Sequence, residues 1–105
     1  ELFKADTDSS RARGLMGLDY LGKNEGMIFF WPSASKKCMW MKNTNLPLSV
    51  AFIDQDRTIV QINDLQPLST ESVCSRSERI IAAIEMNKDW FEENDLKEGS
   101  QVNLN

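Results

Sequence analysis

The sequence predicts a small, compact, mainly β (α+β) fold, with a barrel-like mixed or antiparallel sheet and two short helices. Its apolar runs are short, and turn residues separate them at close intervals, which is typical of antiparallel β architectures. No pair of long helical segments lies between the runs, so the crossover connections of a parallel sheet are not expected. The length of 105 residues suits one domain, and a single domain is expected over residues 1–105.

The predicted strands follow the apolar runs in chain order. The most apolar strand begins after Gly26 and is expected to end at Pro32, which cannot donate to a β-ladder. Turn-forming residues at positions 54–57 predict a hairpin between two neighbouring strands. The full set of predicted strands is 2–5, 27–31, 38–42, 49–53, 58–62, 79–86 and 100–104.

Both predicted helices are short. Side chains with N-capping oxygens precede a helix predicted over residues 9–16, which either Gly14 or Gly17 would end. A second helix is predicted over residues 88–94, with Asn87 as its N-cap. The helices add little to the pattern, so the fold class depends on the strands.

The composition excludes several functional classes. Histidine is absent, which excludes Ser-His-Asp and Cys-His nucleophilic sites and most zinc sites. The net charge of −4 argues against nucleic-acid binding, which needs a basic stripe. We therefore expect no metal ion, cofactor or nucleic-acid partner, and the composition leans away from an enzyme without deciding the question. No apolar run approaches the ~18 residues of a membrane span.

Charge is divided unevenly along the chain. Residues 1–45 hold seven basic and five acidic residues, whereas residues 46–105 hold five basic and eleven acidic residues. The acidic half is interpreted as a solvated surface, and Arg11 and Arg13 as the solvated face of the first helix. A monomer is expected. The first residue is not methionine, which is compatible with removal of a signal peptide.

The two cysteines, Cys38 and Cys74, are too far apart for a CxxC redox motif. Two alternatives remain open from the residues alone. One is a disulfide that closes a long loop and stabilises the fold by roughly 3–4 kcal/mol. The other is a pair of reduced, buried thiols, the usual state in the cytosol. Polar residues flank both cysteines, which resembles loop edges and favours the disulfide.

Hydrogen-bonding side chains are densest where the third predicted strand ends. An aromatic plate (Trp40), a cation (Lys42) and three polar side chains (Asn43, Thr44 and Asn45) follow one another there. Because Trp40 and Lys42 lie two residues apart, they share one face of the strand. This set suits a sugar or another small polar ligand. The alternative is that Asn and Thr satisfy the turn while Trp40 fills the core.

Glu85 is the second candidate. It lies in an otherwise apolar predicted strand, where a carboxylate is either paired with Lys42 or an arginine, or has a pKa raised by desolvation. A structural ion pair is the alternative. Asp54 could join Glu85 as the carboxylate pair of a glycosidase-like hydrolase. An aspartate at a hairpin is, however, usually a turn former.

The order of these motifs resembles the domain-of-unknown-function family 192 (DUF192). The resemblance spans about residues 11–102, and the Trp-Met-Lys-Asn-Thr block is its most specific part. The motifs are Gly14-Leu15-Met16, Gly26-Met27-Ile28-Phe29-Phe30, Trp40-Met41-Lys42-Asn43-Thr44, Pro47-Leu48, Ala51-Phe52-Ile53-Asp54, Gln66-Pro67, Glu85-Met86 and Trp90-Phe91.

The resemblance implies a small β-rich domain that many bacteria export behind a signal peptide or lipoprotein signal. It also implies the disulfide, since similar members carry cysteines at the positions of Cys38 and Cys74. The family has no established reaction, so no catalytic roles are transferred. Two positions depart from the pattern: Gly17-Leu18-Asp19 stands where relatives often carry an arginine, and Ser49 where they often carry aspartate.

Three functions follow from these observations. The first is an extracytoplasmic, periplasmic, non-enzymatic binding module for a small polar or saccharide-like ligand, with a site at Trp40, Lys42, Asn43, Thr44 and Glu85. The second is an accessory protein that docks on a cell-envelope partner through an apolar patch. The third is a hydrolase that uses Glu85.

Overall fold

The computed structural model describes residues 2–104, which form seven strands and two short helices. The strands are β1 (Leu2–Ala5), β2 (Gly26–Ser35), β3 (Cys38–Met39), β4 (Leu48–Asp54), β5 (Ile59–Leu65), β6 (Val73–Cys74) and β7 (Ile80–Asn87). The helices are α1 (Asp8–Arg13) and α2 (Trp90–Glu93). The prediction of a mainly β fold with two short helices is confirmed.

Five strands form one mixed sheet in the order β1-β2-β7-β4-β5, and β3 and β6 form a small second sheet. β1 runs parallel to β2, and the other neighbours in the large sheet are antiparallel. The edge strands β1 and β5 do not pair with each other, so the sheet is open. The mixed sheet is as expected, but it is not a closed barrel, because its two edge strands stay unpaired with each other.

Both faces of the large sheet are covered, and side chains of the inner strands alternate between two apolar clusters. In β4, Val50 and Phe52 point to one face, while Ala51 and Ile53 point to the other. Loops that follow α1 and β3 cover the first face, and α2 with the C-terminal segment covers the second. This double coverage explains why β4 is apolar throughout instead of alternating with polar residues.

Gly26 lies where β2 meets the central strand β7 most closely. It pairs with Met86, and an added Cβ would stand 2.2 Å from the Met86 sulfur and 2.3 Å from the backbone oxygen of Glu85. Backbone atoms cannot move aside at that distance, so the pairing of β2 with β7 requires glycine here.

β2 is longer than predicted, because it continues through Pro32 to Ser35. The pairing of β2 with β7 shifts register between Phe30 and Ser35. Proline is tolerated at such an irregularity, since its missing N–H is not needed where the ladder is interrupted.

The strand predicted over residues 38–42 is only two residues long, and its partner β6 has no counterpart among the predicted strands. Cys38 and Cys74 stand directly opposite each other in this pair and form a disulfide. The expected disulfide is confirmed. A two-residue strand has too little sequence to show a pattern, so β6 could not be found from periodicity.

Two buried polar side chains attach the small sheet to its surroundings. The Gln61 amide donates to the Cys74 carbonyl oxygen at 3.1 Å and accepts from the backbone N–H of Arg76 at 2.8 Å. The Ser75 hydroxyl accepts from the backbone N–H of Lys37 at 3.0 Å. Gln61 and Ser75 are 3% and 1% exposed, so these bonds are shielded from competing water.

α1 differs from the predicted helix at both ends. Thr7 is the N-cap and forms a capping box with Ser10. Gly14 ends the helix with φ 52° and ψ −133°, a conformation that residues with a Cβ avoid. The helix therefore starts one residue earlier and ends three residues earlier than the prediction of 9–16, and Gly14, not Gly17, ends it.

Asn87 is not a helix cap. It is the last residue of β7, and its amide donates to the carbonyl oxygens of Leu21 and Gly22 at 3.0 and 3.1 Å. The residue at the N-cap of α2 is Asp89, with φ 71°. Asn87 thus fastens the loop before β2 to the central strand. Within residues 2–104, neither helix has the length that a membrane crossing requires.

The strand predicted over residues 100–104 does not form. A single bridge joins Gln101 to Thr58, and the Gln101 amide donates to the Thr58 hydroxyl at 2.7 Å. The segment instead packs Val102 and Leu104 against the second face of the sheet. Its alternating apolar residues therefore reflect contact with a sheet face, not membership of the sheet.

We predict that Gly26→Ala destabilises the protein by roughly 1–3 kcal/mol, because the added methyl group overpacks the contact with β7. Denaturant unfolding measures the change. Gly22→Ala is the matched control: its nearest neighbour is the flexible end of the Glu25 side chain, so its loss is expected to be smaller. Equal losses for the two variants would contradict the close approach.

Candidate functional site

A cleft of about 260 Å³ opens on the first face of the sheet. α1 and the residues that follow it form one wall, and the segment that leaves β3 forms the other. The side chains that matter for its chemistry are Arg11, Arg13, Trp31, Trp40, Thr44 and Glu85. The cleft therefore combines aromatic walls with one carboxyl group and two guanidinium groups.

Glu85 forms the floor of the cleft. It lies in β7 between Met27 of β2 and Val50 of β4, and it is 4% exposed. Burial among these apolar neighbours raises the pKa of Glu85 to about 8. The carboxyl group is thus predominantly protonated near neutral pH, and it offers one O–H donor together with acceptor oxygens.

The Glu85 carboxyl makes no salt bridge or hydrogen bond with residues 2–104. In that range, every side-chain nitrogen or oxygen of a buried residue either has a hydrogen-bond partner or is accessible to solvent. The carboxyl oxygens must therefore be reached through the cleft. The hypothesis that Glu85 belongs to a structural ion pair is wrong.

The two arginines on α1 differ in role. Arg11 is largely buried: one terminal nitrogen donates to the Phe30 carbonyl oxygen at 2.6 Å, and the other contacts the Asp8 carboxylate at 2.6 Å. Arg11 thereby fastens α1 to β2. Arg13 is exposed at the mouth of the cleft. The interpretation of a solvated helix face holds for Arg13 and is wrong for Arg11.

Two lysines extend the positive charge around the mouth. The Lys37 ammonium lies 5.1 Å from the centre of the Trp31 ring, and the Lys42 ammonium lies 5.4 Å from that of Trp40. Such contacts are cation–π interactions. Burial, and then the nearby Arg11 charge, lower the pKa of Lys37.

The structure brings three of the five predicted site residues into the cleft, namely Trp40, Thr44 and Glu85. Lys42 is exposed and reaches the mouth through its contact with Trp40. Asn43 forms a turn with φ 57°, and its carbonyl oxygen accepts from the backbone N–H of Gly17 at 3.0 Å. Asn43 thus holds the loop after α1 in place and does not line the cleft.

Asp54 and Glu85 do not form a carboxylate pair. Glu85 is opposite Val50, and Asp54 lies four residues further along β4, on the order of 13 Å away at the rise of a β-strand. The Asp54 carboxylate accepts from the backbone N–H groups of Asp56 and Thr58 at 2.9 and 3.2 Å. Asp54 is a turn former, and the hydrolase hypothesis loses its second carboxylate.

Sequence reasoning missed Arg11, Arg13 and Trp31 as cleft residues. Trp31 lies at the end of the most apolar predicted strand, where an aromatic residue does not stand out as a site residue. A signal for the arginines is present, because both directly precede the Gly14-Leu15-Met16 motif. Motif-adjacent charges on a short helix are better candidates for a site than for a solvated face.

The opposite face of the sheet carries charge of the other sign. A second groove there is lined by one lysine and five acidic residues, Asp64, Asp89, Glu92, Asp95 and Glu98. Within residues 2–104, no group of three or more acidic or thiol side chains is arranged to hold a metal ion. Ser49 also faces this side, where its hydroxyl contacts the Asp64 carboxylate at 3.0 Å. The departure from the family pattern at Ser49 therefore leaves the Glu85 cleft unchanged.

Comparison with known proteins places this geometry in a family without an assigned activity. A family model described as Uncharacterized ACR, DUF192, matches residues 1–104. A candidate transcription regulator from Sinorhizobium meliloti is 32% identical with a TM-score of 0.90, covering 95% of this chain and 78% of that one. A protein of unknown function from Novosphingobium aromaticivorans is 29% identical with a TM-score of 0.92, covering 97% and 73%. The comparison with curated proteins found no match.

We predict that the free energy of unfolding falls as pH rises from about 4.5 to about 8. The folded state retains the Glu85 proton over this range, while the unfolded chain releases it. The stability that this proton contributes is therefore fully present below the pKa of the unfolded state and is lost as pH rises to the pKa of the folded state. The expected slope from this group is about 1 kcal/mol per pH unit. Denaturant titrations at several pH values measure it.

Glu85→Gln should flatten this slope, because glutamine keeps the shape without a titrating proton. Glu78→Gln is the matched control at an exposed glutamate and should retain the wild-type slope. If Glu85→Gln and wild type share one pH profile, Glu85 is not the group that titrates.

Proposed function

The chain belongs to the DUF192 family, and from that premise we propose that it is a non-enzymatic binding module for a small polar ligand. The observation that carries the proposal is the Glu85 carboxyl, which is 4% exposed and open only to the cleft. A buried carboxyl group without a protein partner is costly, and such groups concentrate at functional sites. A ligand that hydrogen-bonds to Glu85 would supply the missing partner.

The walls of the cleft favour a flat or ring-shaped polar ligand. Trp40 is 45% exposed, so a large aromatic surface is available to a bound molecule. Trp31 lines the same cleft and stacks on Phe29 with ring centres 6.2 Å apart, which holds its ring in place. Aromatic plates beside hydrogen-bonding groups suit a saccharide-like ring.

NMR of the three tryptophan indole N–H groups tests the proposal. A screen of small polar molecules, including monosaccharides, is run by thermal shift, where a ligand raises the melting temperature by mass action. For each hit, the indole signals of Trp31 and Trp40 are expected to move on titration. The signal of Trp90 should not, because Trp90 lies on the opposite face and donates to Asn24 at 3.0 Å.

Trp40→Ala should weaken binding of every such hit roughly tenfold, since about 1–1.5 kcal/mol of aromatic contact is lost. Trp90→Phe is the control and should bind as wild type does. Hits that move only the Trp90 signal, or that bind Trp40→Ala and Glu85→Ala unchanged, would overturn the assignment of the cleft.

Docking on a cell-envelope partner is the second candidate function. Phe3 and Leu18 are 49% and 37% exposed and line an apolar groove with Met16 and Met27 beside the cleft. Exposed apolar surface of this kind marks interaction sites. An NMR titration that follows the Phe3 and Leu18 signals together with the indole signals separates the two functions, because a partner would perturb Phe3 and Leu18 whereas a small ligand would perturb the cleft.

An extracytoplasmic, periplasmic location is part of the proposal. The Cys38–Cys74 disulfide supports it, since disulfides persist in oxidising compartments and are rare in the cytosol. The regulator name of one structural neighbour is not carried over, because this chain has a net charge of −4, which disfavours contact with nucleic acid.

Cell fractionation with thiol alkylation tests the location. We expect the natively expressed protein in the extracytoplasmic fraction, with no alkylation before reduction and two alkyl groups added to Cys38 and Cys74 after it. Two alkylated thiols before reduction, in protein recovered from the cytosol, would contradict the proposed location.

A further inference from the structure

The mouth of the cleft carries positive charge although the protein as a whole has a net charge of −4. Arg11 and Arg13 line the cleft, and Lys37 and Lys42 lie over the two tryptophans that line it. Two cations therefore line the cleft, and two more lie against its tryptophans. The local potential at the mouth is opposite in sign to the charge of the whole molecule.

Acidic side chains do little to offset this charge. Among residues 2–104, one salt bridge involves any of these four cations, and it joins Asp8 to Arg11. Arg11 nevertheless still acts on Lys37 and lowers the pKa of that ammonium. Arg11 and Lys37 thus repel each other, and a bound anion would relieve that repulsion.

Glu85 shares the cleft with two of these cations, and its protonated carboxyl group does not repel a bound anion. The groups packed around it from β2 and β4 are the uncharged Met27 and Val50, and the charged groups that share its cleft are Arg11 and Arg13. A protonated carboxyl donates to an anionic oxygen in a short, strong hydrogen bond. The floor of the cleft therefore presents a donor, and its mouth presents cations.

Resting on the proposed function, we infer that the ligand of the cleft is a small organic carboxylate that contacts the Arg13 guanidinium and the Glu85 carboxyl. Arginine matches a carboxylate with two parallel N–H donors. Arg13 forms no salt bridge within residues 2–104, whereas Arg11 is engaged by Phe30 and Asp8. The guanidinium N–H groups of Arg13 are thus the ones available to a ligand.

The size of the cleft limits the ligand. Its volume of about 260 Å³ lies just below the range of pockets that hold drug-sized molecules. One ring with a carboxylate fits this volume, and an oligomer does not. The acidic groove on the opposite face would repel the same ligand, so the ligand is expected to bind only on the face with the cleft.

A matched set of sugars tests the inference by NMR titration and calorimetry with the disulfide-bonded protein. Glucuronate, glucose and glucosamine share a ring and differ in charge. Glucuronate is expected to bind at least about tenfold more tightly than glucose, since a charge-assisted contact contributes about 1.5–3 kcal/mol. Glucosamine should bind most weakly. Inorganic phosphate, which lacks a ring, should bind more weakly than glucuronate.

Arg13→Gln should reduce glucuronate affinity about tenfold or more and leave glucose affinity unchanged. Arg76→Gln is the matched control, because Arg76 is exposed and pairs with Glu98 near the β5 edge. It should bind both sugars as wild type does. Equal effects of the two substitutions would overturn the role of Arg13.

The pH dependence isolates Glu85. Above about pH 8, wild-type affinity for glucuronate should fall about tenfold per pH unit, because the ionised carboxyl repels the ligand. Glu85→Gln retains a donor and should show no such fall. If Glu85→Gln declines in the same way, another group titrates and the contact with Glu85 is wrong.

The outcomes also separate this inference from the proposed function. Preferential binding of glucose or glucosamine in the cleft would overturn the carboxylate class and leave a polar-ligand site intact. Equal binding of glucuronate and phosphate would replace an organic carboxylate by a simple anion site. No cleft signal with any of these probes, nor with any hit of the wider screen, would overturn both.

Discussion

The central strand β7 is paired on both sides and covered on both faces, and the other elements are arranged around it. β2 can approach it only because Gly26 has no side chain. Its one charged residue, Glu85, is held between Met27 and Val50, where ionisation is unfavourable. The sheet therefore tolerates this carboxyl in protonated form and beside an opening. Stability and the chemistry of the cleft depend on the same constraint.

The two walls of the cleft are fixed by different kinds of interaction. Arg11 holds the α1 wall through a hydrogen bond to the Phe30 carbonyl oxygen. The other wall leaves the small sheet, where a covalent bond joins Cys38 to Cys74 and Gln61 connects that sheet to β5. Noncovalent contacts yield more readily than a disulfide supported by buried hydrogen bonds. The α1 wall is thus the adaptable side, and Trp40 stands on the rigid one.

The long strands could be predicted, because burial on two faces requires continuous apolar sequence, and β4 and β7 have it. Other elements depend on contacts that a local pattern does not contain. β6 exists through its partner Cys38, and the segment 100–104 has strand-like composition because it packs on the sheet. For the site, Trp40, Thr44 and Glu85 were predictable from residue type. Arg11 was indicated only by its position before the Gly14-Leu15-Met16 motif, since its long-range contact with the Phe30 carbonyl oxygen has no local pattern.

The position of β7 along the chain also determines when the fold can form. β2 and β4 are both made early, yet each needs residues 80–87 as its neighbour, and they are not neighbours of each other. The pairs β1-β2 and β4-β5 do not involve β7, but they cannot be joined into one five-stranded sheet until residues 80–87 have been synthesised. Pairing over such separations is slow, because loop closure must precede the contacts that reward it. The nascent chain consequently lacks the strand that joins the two halves of its sheet for most of its synthesis.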